Sequence, residues 1–220
     1  MTKSLDLGCG LNPQNPFKAN KLYGLDAIRE ANIGGDIVEI IKVDLTISPI
    51  PYPSDFFDYL TAFDFIEHIP RLIYIDSVAR LPFVELMNEI YRVLKDGGIF
   101  YSLTPAYPSP KAFQDPTHVN IITEDTFNMY FCGTHPWSHA YGFNGQFEMM
   151  SQQWQDQSHL SCHMKKLSIH TKLQILQEFN NQTLKVNAAF AYMPSDIPIY
   201  WKPKRKDQRG NLLLLITNSI

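Results

Sequence analysis

Ser4-Leu5-Asp6-Leu7-Gly8-Cys9-Gly10 is the stretch on which the reading of this chain turns. Ser4 to Leu7 is a short strand-type run that passes straight into a G-x-G turn. Two glycines there let the backbone pass close to a ligand, and the helix expected next presents its N–H groups to it. A dinucleotide fingerprint would place a third glycine at position 13, where this chain has Pro13. That disfavours a pyrophosphate and leaves a turn suited to a carboxylate or a nucleoside.

Working outward, further strand-type runs follow at Lys21–Leu25, Glu39–Val43, Phe57–Phe63 and Ile99–Thr104. Asp26, Asp44 and Asp64 close three of them. Asp26 lies 18 residues past Gly8, close to the spacing at which an acid accepts ribose hydroxyls in a nucleotide-binding βαβ unit. In an open parallel sheet all such strand ends face one crevice. Each aspartate alone is equally well explained as a cap for the segment that follows it. Phe83, Leu86, Met87, Ile90, Val93 and Leu94 recur at helical spacing and predict a helix over residues 83–95, stopped by Gly97 and Gly98.

Composition narrows the classes. Of the 220 residues 45% are apolar and 19% charged, enough for a substantial core in one domain. Nineteen basic against twenty-two acidic side chains give a net charge of −3, which argues against wholesale nucleic-acid binding. No apolar run reaches the ~20 residues of a membrane-spanning helix, and no signal peptide is read. Cys9, Cys132 and Cys162 are too few and too scattered for a disulfide framework or a zinc pattern. The expectation is a cytoplasmic protein.

Leu5-Asp6-Leu7-Gly8-Cys9-Gly10, Tyr23-Gly24-Leu25-Asp26, Val43-Asp44-Leu45, Phe57 to Phe63 and Leu94-Lys95-Asp96-Gly97-Gly98 together resemble the ordered motifs of class I S-adenosylmethionine-dependent methyltransferases. The resemblance spans about residues 4–131. It implies an α/β, Rossmann-like fold with a mostly parallel seven-stranded sheet, helices on both faces and an antiparallel last strand. It implies S-adenosylmethionine as cofactor and S-adenosylhomocysteine as product. Gly8, Cys9 and Gly10 would face the methionine part, and Asp26 the ribose. Asp44 and Leu45 would frame the adenine, and Phe63, Asp64 and Phe65 would line the site near the sulfonium. Asp6 would orient the glycine turn rather than touch the cofactor.

A hydroxyl or ammonium acceptor must lose a proton, so a base is expected near the methyl. Asp64-Phe65-Ile66-Glu67-His68 and Asp115-Pro116-Thr117-His118 both fall at the crevice, which makes His118, His68 and Glu67 the catalytic candidates. His68 reads equally as an orienting residue beside Glu67. Asp64, Glu67, His68 and His118 are also similar to the metal-binding pattern of small-RNA 2′-O-methyltransferases and some quinone O-methyltransferases, with Asp64 where the RNA enzymes carry a glutamate. A divalent metal is therefore an open alternative to the simple base, which accounts for the same residues.

The whole chain, 1–220, reads as a single domain. Residues 158–208 read as an insertion, serving as a lid over the site, between a strand at 146–155 and a last strand at 211–217. The insertion holds His159, His163, His170, Tyr192, Tyr200 and Trp201, aromatic surface for an acceptor pocket or a homodimer contact. Lys202, Lys204, Arg205, Lys206 and Arg209 read first as a solvated face. The sequence thus points to methyl transfer to a small-molecule or glycan oxygen or nitrogen. The alternatives are an RNA methyltransferase anchored by the basic segment, and a regulatory protein that binds S-adenosylmethionine without turnover.

Overall fold

A computed structural model of the chain describes residues 1–31 and 34–168. Seven strands form one sheet, in the order β3-β2-β1-β4-β7-β9-β8. They are β1 (Lys3–Leu7), β2 (Lys21–Asp26), β3 (Ile37–Lys42), β4 (Phe57–Phe63), β7 (Leu94–Pro105), β8 (Phe147–Gln155) and β9 (His159–Lys166). β5 (Ile73–Ile75) and β6 (Val78–Arg80) make a separate antiparallel hairpin. The first five strands of the large sheet are parallel, and β9 runs antiparallel to both β7 and β8. The register sets Leu7 beside Leu25 and Ala62, and Phe63 beside Leu103, so the chain leaves β1, β2, β4 and β7 along one edge. β9 begins at that same edge, with His159 opposite Pro105.

Side-chain alternation gives the sheet two different faces. Leu5, Leu7, Leu25, Leu60, Ala62, Phe100 and Met164 are fully buried on one. Onto it pack α1 (Pro82–Val93), through Phe83, Leu86, Met87, Ile90 and Val93, and α3 (Glu124–Tyr130), whose Phe127 meets Phe83 and Phe100. Burial of each such side chain contributes about 1.5–3 kcal/mol. α1 starts at a proline and ends when Leu94 turns extended to begin β7. Gly97 and Gly98 therefore do not stop the helix. They lie within β7, where a Cβ on Gly98 would stand 2.8 Å from the Lys95 carbonyl oxygen.

Among the described residues, the first connection differs from the helix expected after the glycine turn. β1 and β2 are joined by residues 8–20 without a helix, because Pro13 and Pro16 interrupt it and Asn15 bonds the Ala19 backbone instead. From this loop Phe17 stacks on Tyr59 at 4.5 Å and stands edge-on to Tyr101 and His163. A short helix, α2 (Lys111–Gln114), follows β7.

The expected insertion needs correction at its start. Residues 159–166 form β9, a sheet strand whose Leu160, Cys162 and Met164 enter the core opposite β7. A hairpin at Gln155–His159 links it to β8, so the 146–155 strand pairs with the segment that directly follows it. The remainder of 158–208 from residue 169 onward, the 211–217 strand and the basic segment lie outside the described residues.

Candidate functional site

The glycine turn comes first along the shared edge. Gly8 has φ +70° and Gly10 φ +58°, a region that L side chains enter at a cost of about 1–2 kcal/mol. The Gly8 and Cys9 N–H groups both donate to the Leu25 carbonyl, at 2.8 and 3.2 Å. A Cβ on Gly8 would stand 2.5 Å from Phe65 Cδ2, whereas one on Gly10 would meet nothing within 4 Å. The turn is thus packed at Gly8 and open at Gly10. Beneath it Asp6, 3% exposed, accepts from Gln14 N at 2.7 Å and Thr61 Oγ1 at 2.6 Å. Burial pushes its carboxyl up to about 6 despite these two donors. Asp6 therefore orients the 8–20 loop from below.

Burial likewise holds the Cys9 thiol up at about 12, and its sulfur fills the space over Gly24, where a Cβ would be 2.4 Å away. Cys9 acts as a packing group. Asp26 Oδ2 accepts from Gly10 N at 3.1 Å, so this strand end and the glycine turn are joined directly. Its Oδ1 accepts from Ile28 N and Arg29 N, both at 2.8 Å. Asp44 Oδ1 likewise accepts from Thr46 N at 2.9 Å. Both aspartates thus cap the turns after them, as the structural explanation requires, and keep further lone pairs for a ligand. Leu45 beside Asp44 is buried. Phe65 leans on Gly8, and Phe63 tilts against Tyr101 at 5.3 Å.

The acid–base candidates converge from two distant segments. A 3₁₀ turn at Ile66–His68 follows β4, and the loop after β7 is fastened to it by Val119 N and Asn120 N, which both donate to the Glu67 carbonyl at 2.9 Å. Asn120 Nδ2 donates to Ile66 O, and Arg71 Nε holds Asn120 in turn. The His68 and His118 rings stand edge to face at 4.9 Å. Ligand atoms of Glu67, His68 and His118 all lie within 4.8 Å of one another. Glu67 is 1% exposed; desolvation raises its carboxyl above the usual range, and Thr104 Oγ1 donates to its Oε2 at 2.6 Å.

Thr117 Oγ1 donates to Asp115 Oδ1 at 2.6 Å, which leaves its oxygen and its carbonyl, 3.1 and 3.2 Å from His68 Nδ1, to accept from that nitrogen. The chain Asp115–Thr117–His68 thereby sets a tautomer whose Nε2 carries the lone pair. The two hydrogen bonds from Thr117 keep the Asp115 carboxyl below its ordinary value.

Asp64 does not join the cluster. It sits at φ +46°, and its Oδ1 faces His159 Nε2 at 3.2 Å. Sequence reasoning placed Asp115, Thr117 and His118 in one loop and His159 among the aromatics of the insertion, but gave no part to Thr104, no hydrogen bond to Thr117 and no contact between His159 and Asp64. Asp-x-Thr at 115–117 is a turn signature that would have found Thr117. His159 carried no local signal, because its place depends on β9 pairing with β7.

For a divalent cation the fit is partial. Glu67 Oε1 and His118 Nδ1 are buried without a protein partner, which suits a mixed oxygen and nitrogen ligand set, but the expected fourth ligand, Asp64, is turned away.

Residues 5–102 match a family model described as a methyltransferase domain. No curated protein matches the chain. Among solved structures, one similar chain belongs to a complex that contains the Haloferax volcanii Trm112 methyltransferase activator (14% identity, 76% of this chain and 83% of that one, TM-score 0.50). Another is the [4+2]-cyclase SpnF (14% identity, 76% and 74%, TM-score 0.50). A SAM-dependent methyltransferase from Aquifex aeolicus is similar at 12% identity over 74% and 81%, with TM-score 0.48. At such identities the likeness is one of fold, and the cyclase illustrates that one architecture carries more than one reaction.

Proposed function

We propose that the chain is a class I S-adenosylmethionine-dependent methyltransferase, which takes its methyl group from that cofactor and delivers it to an oxygen or nitrogen of a small-molecule or glycan acceptor. When bound, the cofactor supplies a methyl activated by a sulfonium. The residues that would hold it are the open backbone at Gly10, the free lone pairs of Asp26 and Asp44, and the Phe63–Phe65 segment against Gly8. The protein's work is then alignment and exclusion of water, and good alignment alone is worth about 7–11 kcal/mol.

The observation that carries the acceptor chemistry is the meeting of His68 and His118 at the edge that holds the glycine turn. His118 takes the acceptor's proton, and His68, fixed by Thr117 and Asp115, orients it. Glu67, held by Thr104, supports the pair from beneath. Mass-action stabilisation by S-adenosylhomocysteine but not by NAD tests the cofactor, and radiolabelled methyl transfer into fractionated cell extract identifies the acceptor. Label that reaches no acceptor while the cofactor still binds would favour a regulatory protein.

The unpartnered Glu67 Oε1 and His118 Nδ1 favour a second reading, in which Glu67, His68 and His118 hold a divalent cation that lowers the pKa of a hydroxyl acceptor. A chelator abolishes turnover under this reading and leaves it intact under the first.

A further inference from the structure

His159 stands between two carboxylates at the edge of the sheet where the glycine turn opens. Its Nε2 is 3.2 Å from Asp64 Oδ1, and its Nδ1 is 3.4 Å from Asp156 Oδ1 and 2.8 Å from Ser158 Oγ. Ser158 Oγ also bonds Asp156 Oδ1 at 2.6 Å, and Asp156 is held well below the ordinary carboxylate range, at about 2, by Ser158 first and His159 next. The imidazole is itself anchored. It opens β9 in register with Pro105, and its side chain is only 19% exposed. Asp64 is the opposite case. Its side chain is 61% exposed, on a residue at φ +46° just beyond the end of β4, and no other described side chain bonds its carboxylate. Between β4 and β9 lies β7, so the contact reaches across a whole strand.

We infer that His159 is a positioning residue: it fixes the Asp64 carboxylate at the sulfonium end of the cofactor site. This rests on the cofactor placement proposed above. An unanchored carboxylate on so exposed a turn would spend its time in water, at a cost in side-chain entropy each time a ligand had to order it. Because Ser158 Oγ gives its hydrogen to Asp156, both ring nitrogens must carry hydrogen for Nε2 to donate to Oδ1, and that bond leaves Oδ2 to meet a ligand. The contribution depends on charge. S-adenosylmethionine carries a positive sulfonium and S-adenosylhomocysteine a neutral thioether, and the two otherwise share their contacts.

The test is calorimetric binding of both compounds to wild type, His159→Ala, His159→Gln, Asp64→Asn and the His159→Ala/Asp64→Asn double variant. His159→Ala and Asp64→Asn should each weaken S-adenosylmethionine about tenfold, the size of one charge-assisted contact, and S-adenosylhomocysteine less than twofold. The double variant should be no weaker than either single one, because both changes remove the same interaction. His159→Gln, which keeps an N–H donor, should recover part of the loss. Equal weakening of both compounds in His159→Ala, additive losses in the double variant, or unchanged affinity for S-adenosylmethionine would each overturn the inference. Failure of wild type to bind either compound would overturn the cofactor placement together with it.

Discussion

Replacing Gly8 and Gly10 by alanine separates the packing of the turn from its use. Both glycines have positive φ, so each substitution costs about 1–2 kcal/mol in backbone strain. Only Gly8→Ala also drives a Cβ to 2.5 Å from Phe65 Cδ2, within a segment continuous with the buried Ile66. Overpacking of that kind adds about 1–3 kcal/mol, for a total near 2–5 kcal/mol. Gly10→Ala meets nothing, and its cost stays near 1–2 kcal/mol. In a chain of this length 1 kcal/mol moves the midpoint by roughly 2–4 °C, so the two variants differ measurably in thermal unfolding. The order reverses in ligand binding under the proposed cofactor placement, in which an alanine methyl at the open position 10 would occupy space the ligand needs. Gly10→Ala should therefore lose S-adenosylhomocysteine affinity by more than its small loss of stability suggests. Urea titration and calorimetry on both variants give the two rankings. Equal stability losses, or a Gly10→Ala protein that binds as wild type does, would refute the reasoning.

Asp6 sets a pH dependence. Its folded pKa, about 6, lies above its ordinary 3.8, so the folded state holds the proton more tightly and stability falls as pH rises through that interval. The fall is about 3 kcal/mol, complete above pH 6 and absent below 3.8; urea titrations of wild type and Asp6→Asn at pH 4, 5 and 7 should show the difference between them change over that range. His118→Ala should lower methyl transfer about 10²–10⁴-fold with cofactor affinity retained, read in a radiolabel assay. Thr117→Val should lower it less and by way of His68, so that combining it with His68→Ala adds no further loss in the same assay. Lys166→Met removes the ammonium that donates to Leu94 O at 2.6 Å and pairs with Asp55 at 2.7 Å, and a loss of about 1–3 kcal/mol in urea unfolding is expected.

Much of the architecture was legible because parallel strands advertise themselves locally. Leu5 and Leu7, Leu60 and Ala62 alternate with their polar neighbours, and the glycine turn and aspartates punctuate the strand ends. α1 was equally plain, since six apolar residues keep one face. What the sequence hid were features decided at long range. His159–Lys166, with His, Ser and Lys among its apolar residues, reads as polar until β7 and β8 flank it. The glycines at 97 and 98 look like a helix stop, yet Leu94 leaves the helix first because it pairs with Phe57. The helix expected after β1 is absent because Pro13 and Pro16 interrupt residues 8–20. At the site, Glu67, His68 and His118 could be named from their positions after β4 and β7. Asp64's engagement with His159 could not, because it spans 95 residues of chain.

The most direct test is the structure of the protein crystallised with S-adenosylhomocysteine. A single adenosyl compound should lie across the strand ends, its ribose hydroxyls on the Asp26 carboxylate, its adenine beside Asp44 and Leu45, and its amino-acid part against the backbone at Gly10. A ligand bound elsewhere, or one that leaves Asp26 and Gly10 without contact, would contradict the account.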